Sequence, residues 1–417
     1  MINAVTRTTT IIIGGGQAGL AISRCLSEVG IEHVVLERGQ LAQRWRSHSW
    51  DSLHLLTPNW MTRLPGFQYD GHDPDGFMSA HELIALLERY AISSGAPVLT
   101  DTAVQSVQRS ANGFRVVTNR GIWSASSVVV ATGYCDLPAV PAASRGAAPW
   151  LTQMVPAQYR RPEQLPDGGV LVVGASSTGV QLADEIQRSG RQVTLAVGRH
   201  TRLPRSYRGR DILWWLDQLG VLSQKADAVE DIERSRHQPS LQLVGRPDHA
   251  SLDLGVLHDR GVRLVGRVSA IDGHRVRLAD DLVATTAAAD VKMAEILGRI
   301  DQFIARTGVA AAATEPFHPT WPLAVDTPVH LDLKAKRICT VVWATGYRRD
   351  YPWLHLPVLD ARGEIAQQAG ITAEPGLYVL GLNFQRRRNS SFIDGVGDDA
   401  SMIAQEIVRS MARARVA

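Results

Sequence analysis

The chain predicts an α/β fold of two parallel-sheet units, one inserted in the other, on three observations. The glycine pattern GxGxxG stands at Gly14–Gly19 as GGGQAG, and a near copy, GASSTG, stands 160 residues later at Gly174–Gly179. Each turn follows a β-branched run and opens an amphipathic stretch. Two similar strand ends, VVVATGY at Val128–Tyr134 and VVWATGY at Val341–Tyr347, leave into a glycine turn, as expected where a chain crosses between domains.

The elements follow in order. Thr8–Ile13 is a short β-branched run of the kind found in buried parallel strands. Gly14 permits the tight turn, Gly16 lets a pyrophosphate approach the backbone, and Gly19 lets helix and strand pack closely. Ala21, Ile22, Cys25, Leu26 and Val29 then fall on one helical face. The helix start, with Gln17 and Ala18, presents free N–H groups and a partial positive charge to phosphates. Gly30 ends the helix, His33–Leu36 is the next strand, and Glu37 at its end is placed to accept from a ribose 2′-OH.

The second turn repeats this with one change. Val170–Val173 is the strand; Gly174, Ser176 and Gly179 form GxSxxG with Ser177 and Thr178 between; Val180, Ala183 and Ile186 line the helix beside Gln181. After the next strand, Val193–Val197, the acid is replaced by Gly198, Arg199, His200 and Arg202. A carboxylate there repels a 2′-phosphate, whereas a guanidinium clamps it bidentately. The first site therefore reads as FAD and the second as NADPH, each on a Rossmann-like domain, the NADPH domain inserted in the FAD domain. The expected boundaries are 1–146 and 336–417 for the FAD domain and 147–335 for the NADPH domain. The Pro- and Ala-rich stretch Leu137–Pro149 is the outbound linker, and the inbound crossing is expected near Leu333–Arg337. A partly helical insertion is expected at about 205–325. It holds a short apolar helix at Asp211–Leu219, alternating strands and turns over Gly255–Leu278, a helix at Ala287–Arg306 and a Pro-rich loop at Glu315–Pro328.

Composition narrows the class. The chain has 417 residues, 45% hydrophobic and 20% charged, with a net charge of +3, too small to argue for nucleic acid or an anionic membrane. Its three cysteines, Cys25, Cys135 and Cys339, form no CxxC, and its 13 histidines lack metal-ligand spacing, so neither a disulfide framework nor a metal is expected. No apolar run is long enough to span a bilayer and no room for a signal peptide precedes the first strand, so a cytoplasmic protein is expected. A homodimer is compatible with the sequence.

Downstream of Glu37, tryptophans and arginines crowd Leu41–Phe67; Trp45 and Trp50 are candidates to stack near a flavin and Arg46 to meet its phosphate or carbonyl oxygens. WDSLHLLTPNWMTRLP (Trp50–Pro65), AVGRHTRLPR (Ala196–Arg205), ATGYRRDYPWL (Ala344–Leu354) and GLYVLGL (Gly376–Leu382) together resemble the flavin-containing monooxygenases, and among them the plant YUCCA-type enzymes and their bacterial relatives. The resemblance implies FAD held by Gly14, Gly16, Gly19, Glu37, Arg44 and Trp45, NADPH held by Ser176–Gly179 and Arg199, and Thr57 near the point where the cofactors meet. Further FAD candidates are Gln17, Ala18, Arg38, Arg46, His54, Val104, Ala131, Thr132, Gly133 and Asp394. Further NADPH candidates are Gly174, Gln181, His200, Arg202, Ala344, Thr345 and Gly346. No catalytic side chain is assigned.

Two departures stand out. The family fingerprint Phe-x-Gly-x-x-x-His, ending four residues on in Tyr or Trp, keeps only Tyr159; Pro149, Leu151 and Val155 occupy the other positions. The Asn found beside the flavin in animal members falls on Leu56, with Asn59 close by. The expected reaction is reduction of flavin by NADPH, formation of a C4a-hydroperoxide with O2, and transfer of one oxygen atom to a small molecule at N, S or activated C, with Trp214, Trp215 and the Ala287–Arg306 helix covering the substrate. The alternatives are a reductase passing electrons to a protein or quinone, and a flavin-loaded redox sensor. Arg386–Arg388 reads as a solvated basic loop or as a clamp on a phosphate or acidic substrate. The helix after Asp394 is expected to aim its positive end at the flavin pyrimidine.

Overall fold

The computed structural model describes residues 5–313 and 327–416. The first unit opens with β1 (Val5–Ile13), α1 (Gln17–Glu28) and β2 (His33–Leu36), followed by α2 (Gln43–His48), α3 (Ala80–Ser93) and β3 (Val98–Leu99). An antiparallel meander, β4 (Val104–Ser110), β5 (Gly113–Thr118) and β6 (Gly121–Val130), returns the chain to the sheet. The second unit contains β7 (Thr152–Met154), β8 (Gly169–Val173), α4 (Ser177–Arg188), β9 (Val193–Ala196), α5 (Ile212–Gln218), α6 (Leu254–Asp259), β10 (Arg263–Val265), α7 (Leu282–Thr307) and β11 (Ile338–Trp343). The chain then re-enters the first unit through β12 (Leu377–Val379) and α8 (Val396–Val416).

Each unit is built around parallel strands whose β-branched cores are buried on both faces. In the first, β12, β6, β1, β2 and β3 lie side by side, with β1 paired parallel to both β2 and β6. Helix α1 packs on one face of it together with α3 and α8, through Leu20, Ile22, Leu26, Leu87, Ile403 and Ile407. In the second, the order is β7, β11, β8, β9, β10, all parallel. Every residue of β8 is buried.

Three expectations need correction. The return crossing lies later than Leu333–Arg337. Strand β11 pairs with β7 and β8 in the second sheet, so residues 338–343 belong there. The chain crosses just after it, where Tyr347–Arg348 pairs antiparallel with Leu137–Pro138 of the outbound linker. Residues 254–259 form a helix rather than a strand, capped by the Asp253 carboxylate, which accepts from Val256 N at 3.0 Å. The helix expected from Ala287 starts at Leu282, because Leu282 and Thr286 already face the core. The Pro-rich loop at Glu315–Pro328 lies outside the described residues except for its last two.

Candidate functional site

The two glycine turns have nearly one geometry. Gly14 has φ +111° and Gly174 φ +108°, a region that favours glycine. A Cβ on Gly19 would stand 1.9 Å from Gly14 O, and one on Gly179 1.8 Å from Gly174 O, so both helices touch the preceding strand end directly. A Cβ on Gly14 would stand 2.6 Å from Ala131 O, and one on Gly174 2.3 Å from Ala344 O. The two ATG segments, Ala131–Gly133 and Ala344–Gly346, thus close the two turns in the same way. In front of Gly16 a Cβ would meet nothing within 4 Å, which leaves the backbone approachable there.

Helix ends reinforce this. The carboxylate or hydroxyl at the N-cap of α3 (Ser79), α5 (Asp211) and α6 (Asp253) accepts from the first turn. Neither Gly16 before α1 nor Ser176 before α4 supplies such a bond. Both helices therefore keep first-turn N–H groups unclaimed by a side-chain cap, and these suit phosphate oxygens.

Around the first turn, Glu37 is buried and accepts from Gly15 N at 2.7 Å and Gly39 N at 2.9 Å, fixing the carboxylate at the strand end. Arg44 donates to the carbonyls of Cys135 and Asp136 and pairs with the Asp136 carboxylate at 3.0 Å. Arg38 joins the same carboxylate at 3.6 Å. Trp45 packs on the first core. Beside them, burial and the neighbouring guanidiniums of Arg44, Arg38 and Arg160 hold the His48 imidazole below its ordinary range, while Asp136 opposes them weakly. His54 Nδ1 lies 2.9 Å from Ser52 O, and Thr57 is half-buried on the same segment. Val104 opens β4.

Other candidates are engaged elsewhere. Arg46 donates to Leu41 O at 3.0 Å and pairs with Glu88 of α3. Trp50 is buried in the core of the second unit. Asp394 is taken by Arg63 and by Asn389 Nδ2 at 3.2 Å.

In the second unit the basic loop divides. Arg199 is exposed and has no ion pair among the described residues. Arg202 is buried between Asp253 at 3.1 Å and Asp290 at 2.8 Å, so it supports the insertion rather than the loop surface. His200 is also buried, its Nδ1 3.0 Å from Gly198 O, and burial lowers its pKa. Ser177 reaches Ser240 Oγ at 2.9 Å, and Gln181 Nε2 donates back to Ser177 O at 3.1 Å.

The arginine run is not a freely solvated loop. Arg386 and Arg387 pair with Asp399 and Asp398 in the first turn of α8, while Arg388 donates to Gln224 and Gln238 and lies over Phe384. Asp399 is fully buried, and that burial raises its pKa. Both acids stand in the first turn of the helix expected to aim its positive end at the flavin pyrimidine, and there they are paired with the arginine run. Trp214, Trp215 and α7 share one apolar cluster with Leu56, Trp60 and Phe392, so the insertion does cover the segment after α2. Sequence reading missed Arg160 and Arg205, which span the two units; nothing local distinguishes a buried arginine from an exposed one.

Among the described residues no cluster of His, Cys, Asp and Glu is arranged to hold a metal, and no helix is long and apolar enough to cross a membrane. The site fits two dinucleotides on its own geometry: two uncapped helix starts, an open approach at Gly16, an acid after one second strand and an exposed arginine after the other.

Comparison with known proteins agrees. The family model described as pyridine nucleotide-disulphide oxidoreductase matches residues 11–216. An uncharacterized CzcO-like oxidoreductase of Geobacillus kaustophilus is 31% identical over 95% of this chain and 97% of its own. The rice indole-3-pyruvate monooxygenase YUCCA1 is 27% identical over 95% of this chain and 90% of its own. A flavin-containing monooxygenase from Stenotrophomonas maltophilia shares the fold, with a TM-score of 0.67 at 19% identity over 97% of this chain and 99% of that one. The chain is thus an oxidoreductase that binds FAD and NADPH, and it belongs to the flavin-containing monooxygenase family, among the relatives of the YUCCA-type enzymes.

Proposed function

We propose that this flavoprotein monooxygenase uses NADPH to reduce FAD and transfers one oxygen atom of O2 to a small organic substrate at nitrogen, sulfur or an activated carbon. Bound FAD supplies hydride acceptance and the activation of O2. The chain's residues bind, orient and exclude water. Gly14, Gly16, Gln17, Ala18 and Gly19 receive the FAD pyrophosphate on main-chain N–H groups, and Glu37 takes the ribose. Arg38, Arg44, Trp45, His54, Thr57, Val104 and Ala131–Gly133 surround the rest. Gly174, Ser176–Gly179 and Gln181 receive NADPH, Arg199 its 2′-phosphate, and Ala344–Gly346 close the turn behind it. Leu56, Trp60, Trp214 and Phe392 supply the apolar cover that keeps water from the reacting centre.

The observation that carries this reading is the pair of glycine turns with matching geometry and no side-chain cap on either helix. Oxygen transfer is favoured over a dithiol relay because Cys25, Cys135 and Cys339 are far apart in the sequence. Burial pushes the Cys25 thiol up to about 12, which makes it a poor nucleophile. The test is rapid mixing of NADPH-reduced protein with O2. An oxygen-dependent absorbance transient before oxidised flavin returns, followed by oxygenated product, is expected. Immediate return of oxidised flavin with peroxide release and no product overturns the reading in favour of a reductase.

A further inference from the structure

The segment 47–57 belongs by sequence to the first unit, yet side chains of the second unit hold its backbone. Arg160 donates to Ser47 O at 2.5 Å and Ser49 O at 2.8 Å, and Asp51 N donates to Arg160 O at 2.9 Å. Ser52 Oγ reaches Glu185 of α4, whose other oxygen accepts from Tyr159 at 3.0 Å. This gives the one retained fingerprint position a physical role: Tyr159 is fully buried and braces α4 against the segment. At the far end, Arg205 Nη1 donates to Leu56 O at 2.8 Å.

Arg205 is the most committed of these anchors. It is 1% exposed, pairs through Nη2 with Asp211 at 2.5 Å and lies over the Phe77 ring at 4.9 Å. Its backbone is also fixed, with N donating to Ser251 Oγ at 2.9 Å and O accepting from Ile212 N at 2.9 Å. A side chain so enclosed acts through the carbonyl it holds. Next to it the units are in backbone contact: a Cβ on Gly245 would stand 2.0 Å from Leu55 O.

Resting on the reading that flavin and nicotinamide meet beside Thr57, we propose that Arg205 is a positioning residue for hydride transfer. By holding Leu56 O from the second unit, it fixes the distance between the two bound dinucleotides. The planar fork is needed because one guanidinium serves Leu56 O and Asp211 together, which an ammonium reproduces poorly. Misplacement of reacting atoms by about 1 Å costs on the order of a hundredfold in rate without loss of binding.

The test uses the FAD-loaded full chain, with Arg205→Gln and Arg205→Lys. FAD content, NADP⁺ affinity by flavin difference absorbance, and the anaerobic rate of flavin reduction by NADPH are compared with reduction by dithionite. Both variants are expected to keep FAD and to bind NADP⁺ within about twofold, while reduction by NADPH slows about ten- to a hundredfold and reduction by dithionite is unchanged. An unchanged NADPH rate overturns the inference, as does a rate that falls only in step with lost FAD or NADP⁺ binding. If Arg205→Gln does not fold, Gly245→Ala, which displaces the Leu55 carbonyl, is read by the same criteria. A wild-type protein that NADPH does not reduce removes the underlying reading itself, a result distinct from equal rates in wild type and variant.

Discussion

The two glycine turns of this chain form a natural controlled pair. Their φ angles differ by a few degrees, their helix-to-strand contacts by about a tenth of an ångström, and both helices begin without a side-chain cap. What separates them is the residue after the second strand. In the first unit Glu37 is buried and bonded to two backbone N–H groups, a fixed acceptor. In the second, Arg199 is exposed beside a buried His200. The phosphate cradle is therefore generic backbone chemistry, and the choice of nucleotide is delegated to one side chain about twenty residues on.

Breaking each cradle in turn gives the largest effects. In Gly19→Ala a methyl meets Gly14 O, and in Gly179→Ala one meets Gly174 O. Neither clash is with a flexible side chain, so the turn itself must move. Gly19→Ala is expected to purify nearly colourless, with its ratio of flavin to protein absorbance down at least about tenfold. Gly179→Ala is expected to remain yellow and be reduced by dithionite, yet hardly by NADPH. Equal flavin content in both variants would break the assignment of one cofactor to each turn.

Next in size is Glu37→Ala. It leaves the N–H groups of Gly15 and Gly39 without their carboxylate, each such bond contributing about 1.5–3 kcal/mol. FAD affinity measured by fluorescence titration of the apoprotein should weaken by about two orders of magnitude, with NADP⁺ affinity unchanged. Arg199→Ala sharpens the other side of the pair. Since Arg199 is exposed, solvent moderates its contribution, and NADPH affinity should fall about tenfold while NADH affinity holds. An equal loss for both nucleotides would show that Arg199 does not read the 2′-phosphate.

The same comparison explains which features were legible in the sequence. Strand, turn, helix and the acid or arginine are local, within about thirty residues, and each half announces itself through periodicity and glycine spacing. Partnerships across long separations are not. Val341–Tyr347 looks like Val128–Tyr134, and only pairing with β7 and β8 reveals that β11 stays in the second sheet. Arg199, Arg202 and Arg205 lie within one short loop, yet Asp253 and Asp290 bury one and Asp211 and Leu56 O another, leaving the first exposed. Arg46 was drawn to Glu88, forty-two residues away, which no local pattern signals. Asp253, which caps α6, lies just before the stretch from Gly255 that reads as alternating strands and turns.

The smallest expected effect concerns acid. One histidine stands in each half beside the strand that follows its glycine-turn helix: His33, half-buried and bonded to Ser23 Oγ and Ile31 O at 2.8 Å each, and His200, buried and bonded through Nδ1 alone. Burial lowers both pKa values, with their backbone bonds opposing it. The folded state thus holds each imidazole neutral, whereas the unfolded chain protonates it below about pH 6.5. Between the lowered folded value and about 6.5 the unfolded state binds more protons, so stability is complete above that window and declines as pH falls through it. Melting temperature should drop from about pH 7 to about pH 5.5, and His33→Gln or His200→Gln should each shrink the drop by about 2 °C. His200→Gln should do so at less cost at neutral pH, because Nε2 of His200 has no partner to lose whereas that of His33 is bonded to Ser23. A drop of the same size in both variants would mean that acid acts elsewhere, with His48 among the three arginines at the seam between the halves the next group to replace.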